Sequence, residues 1–226
     1  MDPNRALKEQ ADIAKDQIRQ MKLYPFKFRH LLDRYQIIFD NLMKFTSREK
    51  FKKAKILDIG CRSGELLEQL KRTGKNAEDL YGIDICKDAV DVGIKERGLS
   101  NLIVGDMHKT EYENDFFDII VASHVLEHSY DIKALRDEIF RIVKKDGKIF
   151  ALVPVEGEPS EGHKKDEPDG HYFYWPRPWD FQKLWLKKFR VGILEVSLNA
   201  PLDNGIVPCS QFGYLMEPLK IKGDNS

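Results

Sequence analysis

Apolar positions recur at helical spacing from the start of the chain. Leu7, Ala11, Ala14, Ile18 and Met21 are separated by four, three, four and three residues, which predicts one helix over 5–21 with a single apolar stripe. Tyr24-Pro25-Phe26 interrupts it, and a second stripe follows at Phe28, Leu31, Leu32, Tyr35, Ile38, Phe39, Leu42 and Phe45. Two helices packed on a core account for these stripes. A cap over a ligand pocket is the sharper reading, and both can hold. The expected division is an N-terminal helical cap over 1–52 and a larger domain over 53–226.

From Lys55 the rhythm changes. Short apolar runs KILDIG (55–60), LYGIDI (80–85), NLIVGD (101–106), FFDIIVAS (116–123) and KIFALVP (148–154) predict strands. Helical patterns lie between them. Leu66, Leu67 and Leu70 mark one that stops near Gly74, Asp88–Arg97 marks another closed by Gly98, and Asp131 can cap a third with Leu135, Ile139, Ile142 and Val143 inward. Asp146-Gly147 predicts a turn into the fifth strand. Regular strand–helix alternation implies a parallel sheet covered on both faces. The stretch 156–170 is acidic, rich in glycine and proline, and reads as a loop. Aromatics crowd 171–185, Asp180 can cap a helix through Lys188, and FRVGILEVSL (189–198) and QFGYLMEPL (211–219) predict two last strands, paired hairpin-like at the sheet edge. The expected fold is therefore α/β, a Rossmann-like three-layer sandwich around a mostly parallel seven-stranded sheet with the helical cap in front.

Composition narrows the function classes. The 226 residues hold 37 Lys+Arg and 37 Asp+Glu, so the formal charge is zero. That argues against a nucleic-acid partner, which favours a basic excess. Three widely spaced cysteines, Cys61, Cys86 and Cys209, form no CxxC pair, which argues against a disulfide framework or a cysteine zinc site. The N-terminus is polar and no apolar run reaches membrane-spanning length. A soluble cytoplasmic protein with no membrane partner is expected. A small-molecule substrate is expected, and a homodimer is compatible with the sequence.

The candidate chemistry begins in ILDIGCRSGELLEQL (56–70). A strand ends at Asp58, a glycine-bearing turn follows, and a helix starts near Gly64. Glycines let backbone approach a ligand, and ligands of open parallel sheets bind outside the carboxyl ends of strands. Twenty residues after Gly64, Asp84 ends the second strand, where a carboxylate can accept from two ribose hydroxyls. Asp106 ends the third strand beside Met107, and an acceptor with a thioether suits an adenine amino group and its face. Gly60-Cys-Arg-Ser-Gly64 does not fit the G-x-G-x-x-G nicotinamide fingerprint. Asp58 before the loop would repel a pyrophosphate and suits a ligand whose near end carries an ammonium group, as S-adenosylmethionine does.

Taken in order, these stretches resemble a class I S-adenosylmethionine-dependent methyltransferase, most closely the small-molecule type associated with quinone and sugar methylation. ILDIGCRSG resembles the first motif, LDIGCGSG. GIDIC, which contains Asp84 and Ile85, resembles the ribose motif, GDMH the adenine motif, and FFDIIVASHVLEH the fourth-strand motif. The resemblance spans residues 55–154. It implies S-adenosylmethionine as cofactor, with Asp58, Gly60 and Gly64 at its methionine end, Asp84 and Ile85 at the ribose, and Asp106 and Met107 at the adenine. Ser123 and His124 would lie near the methyl-bearing sulfur. One position departs from the family: its middle glycine is Arg62 here. A positive φ would strain an arginine there. The tolerable arrangement turns the guanidinium outward, toward Glu65.

His124-Val-Leu-Glu127-His128 also spells H-x-x-E-H, the ligand string of inverted zinc peptidases. A zinc site needs a third ligand and a continuous helix from 124, whereas DIIVAS leads in as a strand. The family spells V-L-E-H here, so no metal is called for. Deprotonating a hydroxyl acceptor suits a histidine. Of His124, His128, His163 and His171, the motif favours His128 as catalytic base, and position beyond the fifth strand favours His171. Each has a structural alternative as a hydrogen-bonded histidine, and His163 reads as solvent-facing. Phe181 and Trp185 read as core, other aromatics of 172–185 as a substrate wall, and Cys61 as a small buried residue. The expected activity is methyl transfer to an O or N atom of a small metabolite, O preferred. The alternatives are a protein or RNA methyltransferase and a non-catalytic S-adenosylmethionine-binding partner subunit.

Overall fold

The computed structural model describes residues 2–23, 30–154, 178–202 and 205–220. Helices α1 (Pro3–Leu23), α2 (His30–Phe45) and α3 (Arg48–Lys53) precede the first strand. The alternating region follows as β1 (Ile56–Ile59), α4 (Glu65–Arg72), β2 (Leu80–Asp84), α5 (Lys87–Arg97), β3 (Asn101–Val104), β4 (Phe117–Ser123), α6 (Ile132–Ile142) and β5 (Val143–Pro154). Then come α7 (Pro178–Trp185), β6 (Phe189–Leu202) and β7 (Gly205–Pro218). The strand order is β3-β2-β1-β4-β5-β7-β6. All pairs from β3 to β5 are parallel, and β7 runs antiparallel to both its neighbours. The expected mostly parallel seven-stranded sheet is the observed one.

The strands bury both faces, because successive side chains point to opposite sides and the apolar runs are nearly continuous. On one side Leu57, Ile59, Ile120, Ala122, Ile149 and Ala151 meet Leu135, Ile139 and Ile142 of α6 and Phe181 and Trp185 of α7. On the other, Ile56, Ile119, Val121, Phe150 and Leu152 meet Leu66, Leu67 and Leu70 of α4, Ile38 and Leu42 of α2, and Phe51 of α3. Phe181 and Trp185 are fully buried, and Phe181 stacks on Tyr214 with ring centroids 4.0 Å apart. Both residues therefore belong to the core, as their spacing predicted. Of the second helical stripe, Ile38 and Leu42 are buried in this core and Tyr35 and Phe39 pack against it.

Three local expectations differ. Helix α3 was not legible as a separate element: Ser47 caps it by accepting from Lys50 N–H, and its apolar content is the single buried Phe51. Strand β5 begins at Val143, five residues before the predicted start. Its ladder with β4 passes from Phe117↔Val143 to Ile119↔Lys148, so Lys144–Gly147 form an irregularity within the strand. A Cβ on Gly147 would lie 2.7 Å from Val143 Cγ2 and 3.1 Å from the Phe117 carbonyl oxygen, so this bulge admits only glycine. The final pair is longer than predicted, running from Phe189↔Pro218 to Leu202↔Gly205. No described helix is long and apolar enough to cross a membrane.

Candidate cofactor and active site

Strand order reverses between β2-β1 and β4, and a cavity of about 340 Å³ opens beyond the carboxyl ends of these strands. That is the switch point at which open α/β sheets bind ligands. The volume lies at the small end of the ~300–1,000 Å³ range of small-molecule sites. Leu7, Gln10, Ile13 and Ala14 of α1 and Tyr35 of α2 line its outer side. Leu7 and Ala14 of the first stripe thus face the cavity, as does Tyr35 of the second, whereas Ile38 and Leu42 lie in the core.

The loop after β1 is built by its glycines. Gly60 sits at φ 70, and a Cβ there would fall 2.5 Å from Val125 Cγ2. Only glycine fits so close to the β4 loop. The Gly60 and Cys61 N–H groups both donate to the Ile83 carbonyl, at 2.9 and 3.1 Å, tying this loop to the end of β2. Gly64 caps α4 at φ 77 and packs toward Leu99 rather than lining the cavity, so its part is to turn the chain. Cys61 is buried, as expected.

Three carboxylates end three neighbouring strands. Asp58 is 6% exposed, lines the cavity, and its carboxylate makes no hydrogen bond among the described residues. Burial pushes its carboxyl well above the ordinary value, with Glu65 and Asp84 adding to the rise and Arg62 opposing it. A buried carboxylate in this state fits a ligand ammonium. Asp84 accepts from the Arg62 N–H through Oδ2 and from the Cys86 N–H through Oδ1, each at 2.8 Å. Burial raises its carboxyl, against the pull of those two N–H groups and of the Arg62 charge. Lone pairs remain for ribose hydroxyls. Ile85 follows it in the cavity wall.

Asp106 has closer company than the sequence showed. Its Oδ1 accepts from the His108 N–H at 2.9 Å and lies 2.6 Å from His108 Nδ1, while Oδ2 accepts from the Tyr130 hydroxyl at 2.6 Å. The His108 ring lies against that of Tyr130, centroids 3.7 Å apart, and its Nε2 is 2.7 Å from Ser129 Oγ. Burial pushes the Asp106 carboxyl up, but the hydrogen bonds from His108 and Tyr130 outweigh it and hold it below the ordinary value. A carboxylate has about four acceptor sites, and these partners leave roughly one for an adenine amino group. Met107, His108 and Tyr130 line the same wall. His108 and Tyr130 were missed because a histidine two residues past a strand end gives no signal until the fold brings residue 130 beside it. The Ser129-His108-Asp106 row imitates a nucleophilic triad, but Ser129 is fully buried and does not line the cavity. Its role is to hold the ring.

The fourth strand supplies the remaining wall: Ser123, His124, Val125, Glu127 and His128. Ser123 Oγ is buried with no hydrogen-bond partner among the described residues. His124 adopts φ 52, and its N–H donates to the Leu152 carbonyl at 2.9 Å. Its Nδ1 lies 3.5 Å from the buried Glu127 carboxylate. Leu126–His128 form a single 3₁₀ turn, not the continuous helix that an H-x-x-E-H ligand pair needs. Among the described residues no group of three His, Cys, Asp or Glu is placed to hold a metal. His163 and His171 lie outside the described residues.

Arg62 takes the left-handed backbone of the family's glycine, φ 53. Arg62 stands in the wall of the cavity, and its charge acts on Asp58 and Asp84. Glu65 instead accepts from the Ser63 hydroxyl and faces Arg97.

Comparison with known proteins agrees with this geometry. Residues 57–151 match the methyltransferase domain family. A demethylmenaquinone methyltransferase of Geobacillus sp. (strain WCH70) is 30% identical over 118 residues, 50% of this chain and 50% of that protein. A mitochondrial ubiquinone biosynthesis O-methyltransferase of Dictyostelium discoideum is 27% identical over 143 residues, 57% of this chain and 44% of that one. The chain thus spans about half the length of the curated relatives it matches. A solved S-adenosylmethionine-dependent methyltransferase of Thermotoga maritima covers 94% of this chain and 99% of its own, with TM-score 0.64 at 13% identity, a likeness of fold.

Proposed function

We propose that this chain, which carries a class I S-adenosylmethionine-dependent methyltransferase domain, transfers the methyl group to an oxygen of a small metabolite, with nitrogen as the second choice. The carrying observation is that Asp58, Asp84 and Asp106 end three adjacent strands around one cavity, whose fourth-strand wall brings Ser123, His124 and His128. The cofactor supplies an activated methyl on a sulfonium. Asp58 would take the ammonium, Asp84 the ribose hydroxyls, and Met107 with the remaining Asp106 lone pair the adenine. Holding acceptor and methyl in line is chiefly an orientation effect. Caps Leu7, Ile13 and Ala14 exclude water from that side. The unpartnered Ser123 hydroxyl can orient an acceptor, and His128 can remove its proton.

The O-methyltransferase names among the relatives support oxygen over nitrogen. The small, carboxylate-rich cavity supports a small acceptor over a macromolecule. The buried thiols of Cys61 and Cys86 support a reducing compartment, the cytoplasm. The test is transfer of a labelled methyl from S-adenosylmethionine across a panel of hydroxylated aromatics, quinone precursors and amines. Turnover on a hydroxyl compound is expected, and His128→Asn should lower kcat about 10²-fold or more while S-adenosylhomocysteine affinity holds. Tight binding of S-adenosylhomocysteine with no turnover on any acceptor would favour a non-catalytic partner subunit.

A further inference from the structure

We infer that Arg62 binds the α-carboxylate of the cofactor's amino-acid end, so that the loop after β1 grips that zwitterion with a cation and an anion: Arg62 for the carboxylate, Asp58 for the ammonium. The inference rests on the cofactor reading above. Four acidic side chains, Asp58, Asp84, Asp106 and Glu127, line the cavity, and Arg62 is the only lysine or arginine among the described residues that do. S-adenosylmethionine brings two cationic groups, which such a cavity welcomes, and one carboxylate, which it repels. Burying that carboxylate among carboxylates without a cation is costly, and a guanidinium is the side chain best shaped to pair with it.

The backbone supports the same role. A non-glycine residue in the left-handed region is strained, and strain of this kind persists where a site requires it. Arg62 is held there, φ 53, by its own N–H donating to Asp84 Oδ2 at 2.8 Å. That bond fixes the arginine relative to the carboxylate assigned to the ribose. One residue thereby sets the spacing between the ribose and methionine ends of the cofactor. A glycine at this position, as in the family's motif, keeps the turn and forgoes the side chain.

The test compares two ligands by calorimetry: S-adenosylmethionine, and decarboxylated S-adenosylmethionine, which keeps the sulfonium and the ammonium and lacks only the carboxylate. Arg62→Gln should weaken S-adenosylmethionine roughly ten- to a hundredfold, the worth of a charge-assisted pair. The carboxylate-free ligand should bind the variant as tightly as the wild type or more so, because a cation beside its ammonium is gone. Arg62→Lys should fall between. Arg62→Gly relieves the strained φ and should show the same ligand-selective loss with an equal or higher Tm, so the outcome does not hinge on a misfolded variant. Equal losses for both ligands, or none for either, would overturn the role of Arg62. Failure of the wild type to bind either ligand would instead overturn the cofactor reading itself.

Discussion

Gly93 lies in the middle of α5, where alanine would ordinarily stabilise the helix by about 1 kcal/mol. Here the opposite is expected. A Cβ on Gly93 would lie 2.3 Å from Leu102 Cδ1 and 2.7 Å from the Ser63 carbonyl oxygen. The leucine methyl can rotate away, but the carbonyl belongs to the cofactor loop and has to move as backbone. It is also tethered, accepting from Arg97 Nε at 2.8 Å, with Arg97 itself held by Glu68 at 2.9 Å. Overpacking of this kind costs about 1–3 kcal/mol. Against the helix gain, Gly93→Ala should therefore lose up to about 2 kcal/mol net, lowering Tm by up to roughly 8 °C for a chain of this size. Displacing Ser63 also displaces Arg62, whose N–H holds Asp84, so S-adenosylhomocysteine should bind several-fold more weakly. Urea denaturation followed by fluorescence of the buried Trp185, with calorimetric titration, measures both. Ile139→Val in α6, on the opposite face of the sheet, should cost about 0.5–1.5 kcal/mol and leave the affinity unchanged. A Gly93→Ala variant as stable as wild type with unaltered affinity would refute this coupling between α5 and the loop.

Burial and carboxylate neighbours raise the Asp58 carboxyl, so the folded protein binds that proton more readily than the unfolded chain. The stabilising contribution of that proton is fully present below the ordinary value of 3.8 and is lost as pH rises through the raised one. Asp58→Asn should consequently raise the Tm of the ligand-free protein at neutral pH while weakening S-adenosylhomocysteine; a lower Tm at neutral pH would contradict this. Pairing Asp58 with the ligand ammonium should also release protons between those two pKa values, visible as a binding enthalpy that varies with the buffer's ionisation enthalpy. Tyr130→Phe keeps the ring against His108 and removes the hydroxyl from Asp106. It should cost about 1–3 kcal/mol of stability and loosen S-adenosylhomocysteine a few-fold, and an unchanged melting curve would count against the Asp106–Tyr130 bond.

How much of this was legible follows from which interactions are local. The sheet was readable because its strands are short continuous apolar runs separated by helices of period near 3.6, and each pattern is complete within its own segment. The three strand-end carboxylates were readable for the same reason: each stands a fixed distance after an apolar run, and parallel topology alone brings their ends together. Interactions made by residues distant in sequence were not readable. His108 and Tyr130 meet only because β3 and the segment after β4 end at the same cavity wall. The start of β5 was missed because Gly147 reads as a turn residue, although tertiary crowding by Val143 and Phe117 makes it a bulge inside a strand. Arg62 combines both cases. The need for a left-handed backbone was visible from its place between two glycines, but the use of its side chain depends on buried charge contributed by two different strands. Asp58 and Asp84 create a local field that favours a cation on the cavity side, while on the other Ser63 and Arg97 both face Oε1 of Glu65. The charge of the folded site therefore gives a cation in the cavity wall a use that the loop's own sequence does not reveal.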